Sequence, residues 1–142
     1  MIIYTLNFLL TILIGSMIFF MAVVSPSVFA TLSSNASSKF LRTIFPRMFL
    51  FGFIIAVLSL IPSYFSGNIL NSILLIVVAI SFIINRNYLT TIINDFRDKE
   101  LEGDKKASSS FKYMHLLSVL LFVLNFIILI GIVINNYFNY NL

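Results

Sequence analysis

The amino-acid sequence predicts an all-α integral membrane protein, a four-helix bundle of up-down-up-down topology. Three observations predict it. Of the 142 residues, 60% are hydrophobic and 10% charged, where a soluble domain averages ~45–50% and ~25%. The stretches 1–38 and 48–85 carry no Asp, Glu, Lys or Arg, and after Lys112 only His115 can gain a proton before the chain reaches its C-terminal residues. All nine Lys and Arg fall in the two stretches between those apolar runs. Such a composition excludes an intrinsically disordered chain or a collagen. The absence of cysteine excludes a disulfide scaffold.

An α-helix needs ~20 apolar residues to cross ~30 Å of hydrocarbon. The first span is Ile2–Val24, closed by Ser25-Pro26-Ser27. It is read as a retained helix and not a cleaved signal peptide. "MIIYTLN" opens without a positive charge, and the apolar run exceeds the ~7–15 residues of a signal core. The second charge-free stretch is too long for one helix and is cut by "PSYFSGN", Pro62–Asn68. It gives spans Pro46–Phe65 and Ile69–Asn85. Pro46 then sits in a first turn, where its missing N–H costs nothing. The fourth span is Phe111–Asn135, with the Ser108–Ser110 hydroxyls as helix caps.

Four spans place loops 25–45 and 86–110 on one side. The first holds Lys39 and Arg42, with Arg47 just beyond it, and the second, with its flank, holds the other six cations. The positive-inside rule makes both loops cytoplasmic and both termini external. Tyr4, Tyr64, Tyr88, Tyr113, Tyr137 and Tyr140 fall near span ends, where amphipathic rings prefer the headgroups. The sequence pI of about 9.6 is thus a topology signal. The cations are interleaved with acids and lack aromatic platforms, so nucleic acid is not an expected partner. Usage rich in Ile, Asn and Phe suggests an AT-rich bacterial genome and a plasma (inner) membrane.

The loops have their own patterns. Phe40, Leu41, Ile44 and Phe45 share one helical face and Lys39, Arg42 and Thr43 the other. This fits either a short interfacial helix or an ordinary helix start with snorkelling cations. Asp95, Asp98 and Glu102 share a helix face, as a metal site would require. Yet Asp95–Lys99 and Glu102–Lys106 are the i, i+4 pairs of a solvated helix, and no EF-hand glycine pattern accompanies them. Loop 86–110 is read as a solvated hairpin ending at Gly103.

Within the spans, small or polar residues form one stripe per helix. They are Asn7, Thr11, Gly15, Ala22 and Ser25, with Leu9, Leu13 and Phe20 opposite; then Gly52, Ala56 and Ser59; then Asn71 and Asn85 with Leu75 and Phe82 between; then His115, Ser118, Phe122 and Asn125. Lipid gives helices no hydrophobic reason to associate, so close backbone approach and interhelical hydrogen bonds must do so. The four stripes are expected to face one another. His115 is either a satisfied interfacial imidazole or an axial haem or copper ligand. Copper would need companions, and Met17 and Met21 lie off the polar stripe. No charged residue occupies the core of any span, which argues against a proton-driven transporter. No serine has a buried His/Asp partnership, which argues against a hydrolase. No catalytic residue, metal site or cofactor is expected, haem at His115 being the exception.

The runs "GSMIFFMAVVSPSVFATL", "IFPRMFLFGF", "INRNYLTTIINDFRD" and "FKYMHLLSVLLFVLN" resemble, in order, the transmembrane-protein-205-like family, also called domain of unknown function 4149. Its features here are Gly15 with Pro26 and Phe29, Phe45-Pro46, Phe111 with His115 and Ser118, and Asn125. The resemblance implies a four-helix membrane protein without an assigned reaction. The plan is also distantly similar to copper-resistance protein D and to the haem-linked HemJ-type protoporphyrinogen oxidase. Those relatives carry a histidine in the first span, whereas this chain has only His115. The expected function is a small, non-enzymatic membrane interaction or accessory protein, or a binder of apolar solutes between its helices. Its partners are the lipid bilayer and, in a homo-oligomer, further copies of the chain. Two alternatives stay open: a haem- or copper-dependent redox protein using His115, and an oligomeric efflux or channel component with a polar path from Asn7, Asn71 and Asn125.

Overall fold

Four helices, connected by short turns, make up a computed structural model that describes residues 1–141, with side chains through residue 139. They are α1 (Ile2–Thr31), α2 (Ser34–Phe65), α3 (Ile69–Leu101) and α4 (Lys105–Asn141). Each is long and apolar enough to cross a bilayer, and no strand occurs among the described residues. The side chain of Tyr140, counted above among the interfacial tyrosines, lies outside the described residues.

The turns use local chemistry. Gly67 and Gly103 adopt φ of +75° and +100°, a region that side chains disfavour and that ends helices economically. After α3 the Asp104 N–H reaches back to the Lys99 carbonyl (3.1 Å), which satisfies one of the last orphan acceptors. Asn68 caps α3 by accepting from the Asn71 N–H at 3.1 Å. Asp104 caps α4, its Oδ1 accepting from the Lys106 and Ala107 N–H groups at 2.8 and 3.3 Å. The serines at 108–110 are therefore not the cap. A carboxylate one turn earlier is the better acceptor, and the helix starts there.

The helices overrun the charge-free stretches. α1 does not close at Ser25-Pro26-Ser27. Residues Phe20–Val24 form a π turn, in which the Ser25 N–H bonds the Phe20 carbonyl. That widened turn accommodates Pro26, which has no N–H to give, and the helix resumes to Thr31. Pro46 is not in a first turn, because α2 already starts at Ser34 and runs unbroken through Pro46 and Pro62. The amphipathic segment around Phe40–Phe45 is thus the start of α2 and not a separate helix. Stretches 25–45 and 86–110, expected as loops, are helical except at Leu32–Ser33 and Glu102–Asp104.

The chain runs up and down. At one end, Asn136 of α4 donates to Asn7 of α1 and accepts from Asn71 of α3, both at 2.7 Å. The start of α1, the last described turn of α4 and the Ser66–Asn68 turn lie there. At the other end Arg42 of α2 holds Asp98 of α3 through both guanidinium nitrogens, with Nη1 to Oδ2 at 3.1 Å. The nine cations belong to this charged half.

Three of the four stripes face inward as expected. Gly52, Ala56 and Ser59 of α2, Asn71 and Asn85 of α3, and Ser118, Phe122 and Asn125 of α4 are buried, whereas His115, the first member of the α4 stripe, is exposed. A Cβ on Gly52 would lie 2.7 Å from the Phe82 ring, so the glycine is what lets α2 and α3 approach there. The α1 stripe does not behave this way. Thr11, Gly15 and Ala22 are exposed, and Leu6, Leu10, Leu13 and Met17 form the buried face instead. The reason is local: the Thr11 hydroxyl donates to the Asn7 carbonyl at 2.8 Å within its own helix. A hydroxyl satisfied this way can face lipid without an orphaned donor.

The charged end is laced by the expected Asp95–Lys99 pair (2.8 Å) and by Arg97–Glu100. Arg42 holds the Asp98 carboxyl below the usual carboxylate range. The Ser108 hydroxyl, then Arg97, does the same for Glu100. A depressed folded-state pKa adds stability above the unfolded value, about 4, and that stability is lost as pH falls through the lower folded value. Protection of amides in 90–110 against hydrogen exchange, corrected for intrinsic rates, should hold down to about pH 4 and fall in stronger acid. Protection that instead fell between pH 8 and 6 would contradict these pairings.

Candidate functional site

The charged half of the bundle is not closed. Between the end of α1, the first half of α2, the far end of α3 and the start of α4 lies a cleft of about 780 Å³. Two departures from α-helical geometry lie beside it. One is the π turn at Phe20–Val24, whose Phe20 and Met21 line the cleft. The other is a π turn at Asn85–Leu89, after which Thr90, a lining residue, gives its hydroxyl to the Asn85 carbonyl at 2.8 Å. Such bulges re-aim the side chains that follow them and recur at functional sites.

The floor is aromatic. Phe20 and Phe45 have ring centroids 5.2 Å apart, Phe45 stacks on Phe49 at 5.9 Å, and Phe49 meets Phe122 edge-on at 6.3 Å. Phe49 also touches Phe82 at 6.5 Å, which joins the floor to the Gly52 contact in the core. These rings supply apolar area without polar atoms.

The rim is cationic and polar. Arg42 and Arg97 line the cleft, while their partners Asp98 and Glu100 do not. The Arg97 guanidinium lies 5.4 Å above the Phe111 ring, within cation–π range. Phe111 in turn stacks almost parallel to His115, with centroids 5.9 Å apart and planes 9° apart. The Ser108 hydroxyl donates to Glu100 at 2.7 Å, tying the start of α4 to α3 and fixing this stack beside the opening.

From the lining, Ser118 donates to the buried Asn85 Oδ1 at 2.6 Å. Asn85 Nδ2, Ser81 Oγ and both polar atoms of the Asn125 amide have no hydrogen-bond partner among the described residues. Buried amides are normally paired, so this level of the bundle has unused hydrogen-bonding capacity. The opposite end is saturated. The Asn7–Asn136–Asn71 chain continues through Asn135, which donates to Asn71 at 3.3 Å and accepts from Asn139 at 2.9 Å.

Residues 8–102 match the family described as Domain of unknown function (DUF4149), which covers more than half of the chain. The chain belongs to this family. No curated protein and no solved structure matches it. In this DUF4149 member the matched region supplies α1, α2 and α3, and so three walls of the cleft. The fourth wall, with Phe111 and His115, follows the matched region.

The residues singled out from the sequence fall into three places. Phe29, Phe45, Phe111, His115 and Ser118, far apart in the chain, all line the cleft. Asn125, Gly52, Ala56, Ser59 and Asn71 are in the core, Asn125 two turns below Ser118 on the same face of α4. Gly15 lies on the outer face of α1, and Pro26 and Pro46 are inside continuous helices without lining the cleft. Met21, set aside in the sequence as a companion for His115, lines the same cleft. Arg42, Arg97, Phe49 and Asn136 were not singled out. The one sequence signal for the arginines was their position next to apolar faces, which a snorkelling cation shares.

Proposed function

We propose that this protein is a non-enzymatic membrane protein that takes an apolar chain from the bilayer into the cleft at its charged end. The observation that supports this reading is the aromatic floor of Phe20, Phe45, Phe49 and Phe122 beneath an opening of about 780 Å³. That volume lies within the ~300–1,000 Å³ of small-molecule pockets, which are lined mainly by apolar side chains with a few polar groups. The test is photolabelling in nanodiscs with an alkane bearing a mid-chain diazirine. Adducts should concentrate on peptides containing Phe20, Phe45 and Phe122. Val119→Trp, placed on the cleft wall where Val119 is 42% exposed, should fill the cleft and suppress them severalfold. Adducts spread evenly over the outward-facing residues would refute solute binding.

The proposed setting is a bacterial plasma membrane with both termini outside and the cleft toward the cytoplasm. The distribution of all nine cations supports it. A fluorescent protein that matures only in the cytoplasm should stay dark when fused after Leu142. Bright cells would reverse the orientation.

A further inference from the structure

We infer that the cleft selects a single-chain amphiphile with an anionic headgroup, presented by the bilayer. The inference rests on the solute-binding reading above and adds the class of solute. Two arginines and one histidine line the cleft, and no Asp or Glu does. The acids that pair with the arginines, Asp98 and Glu100, lie outside the lining; they offset much of the guanidinium charge, so what the lining offers a headgroup is N–H donors with no competing carboxylate. Arg42 and Arg97 sit at the rim while Phe45, Phe49 and Phe122 lie below. This order, apolar inside and cationic outside, complements a molecule with an apolar tail and a charged head. An arginine carries five N–H donors in a fixed fork that fits phosphate or carboxylate oxygens. Arg42 commits both Nη atoms to Asp98 and keeps only its remaining N–H groups, whereas Arg97 commits one nitrogen to Glu100 and rests on Phe111, so Arg97 is the better placed of the two. Ser38 and Asn94, also in the lining, can donate to a headgroup, while the Ser37 hydroxyl already donates to the Leu32 carbonyl at 3.2 Å. The volume suits one chain within the range of small-ligand pockets. The probes below therefore carry one tail.

The test compares hexadecyl phosphate with hexadecanol, each bearing the same mid-chain diazirine, against the full chain in nanodiscs. The phosphate should label the cleft peptides on the order of tenfold more than the alcohol, the scale of one charge-assisted hydrogen bond at a partly wet rim. In the Arg42→Gln/Arg97→Gln double variant the ratio should fall to about one, while the alcohol still labels the cleft peptides. Labelling of those peptides by the neutral probe shows that the cleft still forms. The Arg42→Lys/Arg97→Lys variant should keep most of the preference. Inorganic phosphate should not compete, because it carries the head without the tail; competition would assign the rim to a free anion and overturn the membrane source. Equal labelling by the two probes, or a preference that survives the glutamine variant, would overturn the inference while leaving solute binding standing. Failure of both probes to label the cleft would remove both.

Discussion

Asn136→Leu should lower the stability of the detergent-solubilised protein by about 1–3 kcal/mol, a drop of several degrees in its thermal midpoint. Asn136 is 1% exposed and, among the described residues, is the one that hydrogen-bonds both Asn7 of α1 and Asn71 of α3. Interhelical hydrogen bonds in membranes average ~0.6 kcal/mol and reach ~1.7. Leucine removes two and leaves the Asn71 Nδ2 and Asn7 Oδ1 groups without those partners, a further cost in a medium that offers no water. Thr11→Ala is the matched control. It removes a hydroxyl that bonds only its own helix, so its effect should be near zero. The cost of Asn71→Leu/Asn136→Leu should fall well short of the sum of the single changes, because the second substitution removes an orphan that the first created. Additive costs would show that the two amides do not interact.

Gly52→Ala should cost about 1–3 kcal/mol through overpacking, against the small gain in helix propensity that alanine brings on an exposed face. The new methyl would lie 2.7–2.9 Å from three atoms of the Phe82 ring. That ring is 1% exposed and backed by Phe49 at 6.5 Å, so it has nowhere to move. Adding Phe82→Leu to Gly52→Ala should recover much of the loss, since leucine yields the volume the methyl needs. By contrast Gly15→Ala and Gly131→Ala, where nothing lies within 4 Å of an added Cβ, should be neutral or slightly stabilising. Thermal midpoints of the four variants measured together would separate a packing glycine from two that merely sit in helices.

The two substitutions show where the sequence is informative in a lipid solvent. Charge-free runs count the helices, and clustered cations identify one end, because a bare charge in hydrocarbon is costly. Glycine, asparagine and serine identify the inward faces of α2, α3 and α4, because close approach and interhelical hydrogen bonds are what hold helices together there. The same logic fails on α1. Thr11 is satisfied by its own helix and Gly15 meets no neighbour, so neither marks the inside, and Leu6 and Leu10 look no different from leucines facing lipid. Asn136 lies just past the expected end of the fourth span, since an asparagine near an apolar terminus reads as the edge of the membrane. The π turns had one partial mark between them. Pro26 marks a disturbance in α1 but reads in the sequence as its end, and no glycine or proline announces Asn85–Leu89. The cleft was the least legible feature, because Phe20, Phe45 and Phe122 are ordinary apolar residues until the bundle brings them together. Even so, five of the residues that carried the family resemblance meet in its lining.

A cleft open to the bilayer is tested most directly by nuclear Overhauser contacts between acyl-chain protons and ring protons, in nanodiscs with protonated phenylalanine in a deuterated chain. Phe45 and Phe122 should show cross-peaks to acyl chains as Phe29 should, although Phe122 is only 7% exposed and Phe29 is 65% exposed. Cross-peaks confined to outward rings such as Phe8, Phe19 and Phe65, with none at Phe45 and Phe122, would mean that the helices close over this space and that no lipid chain enters it.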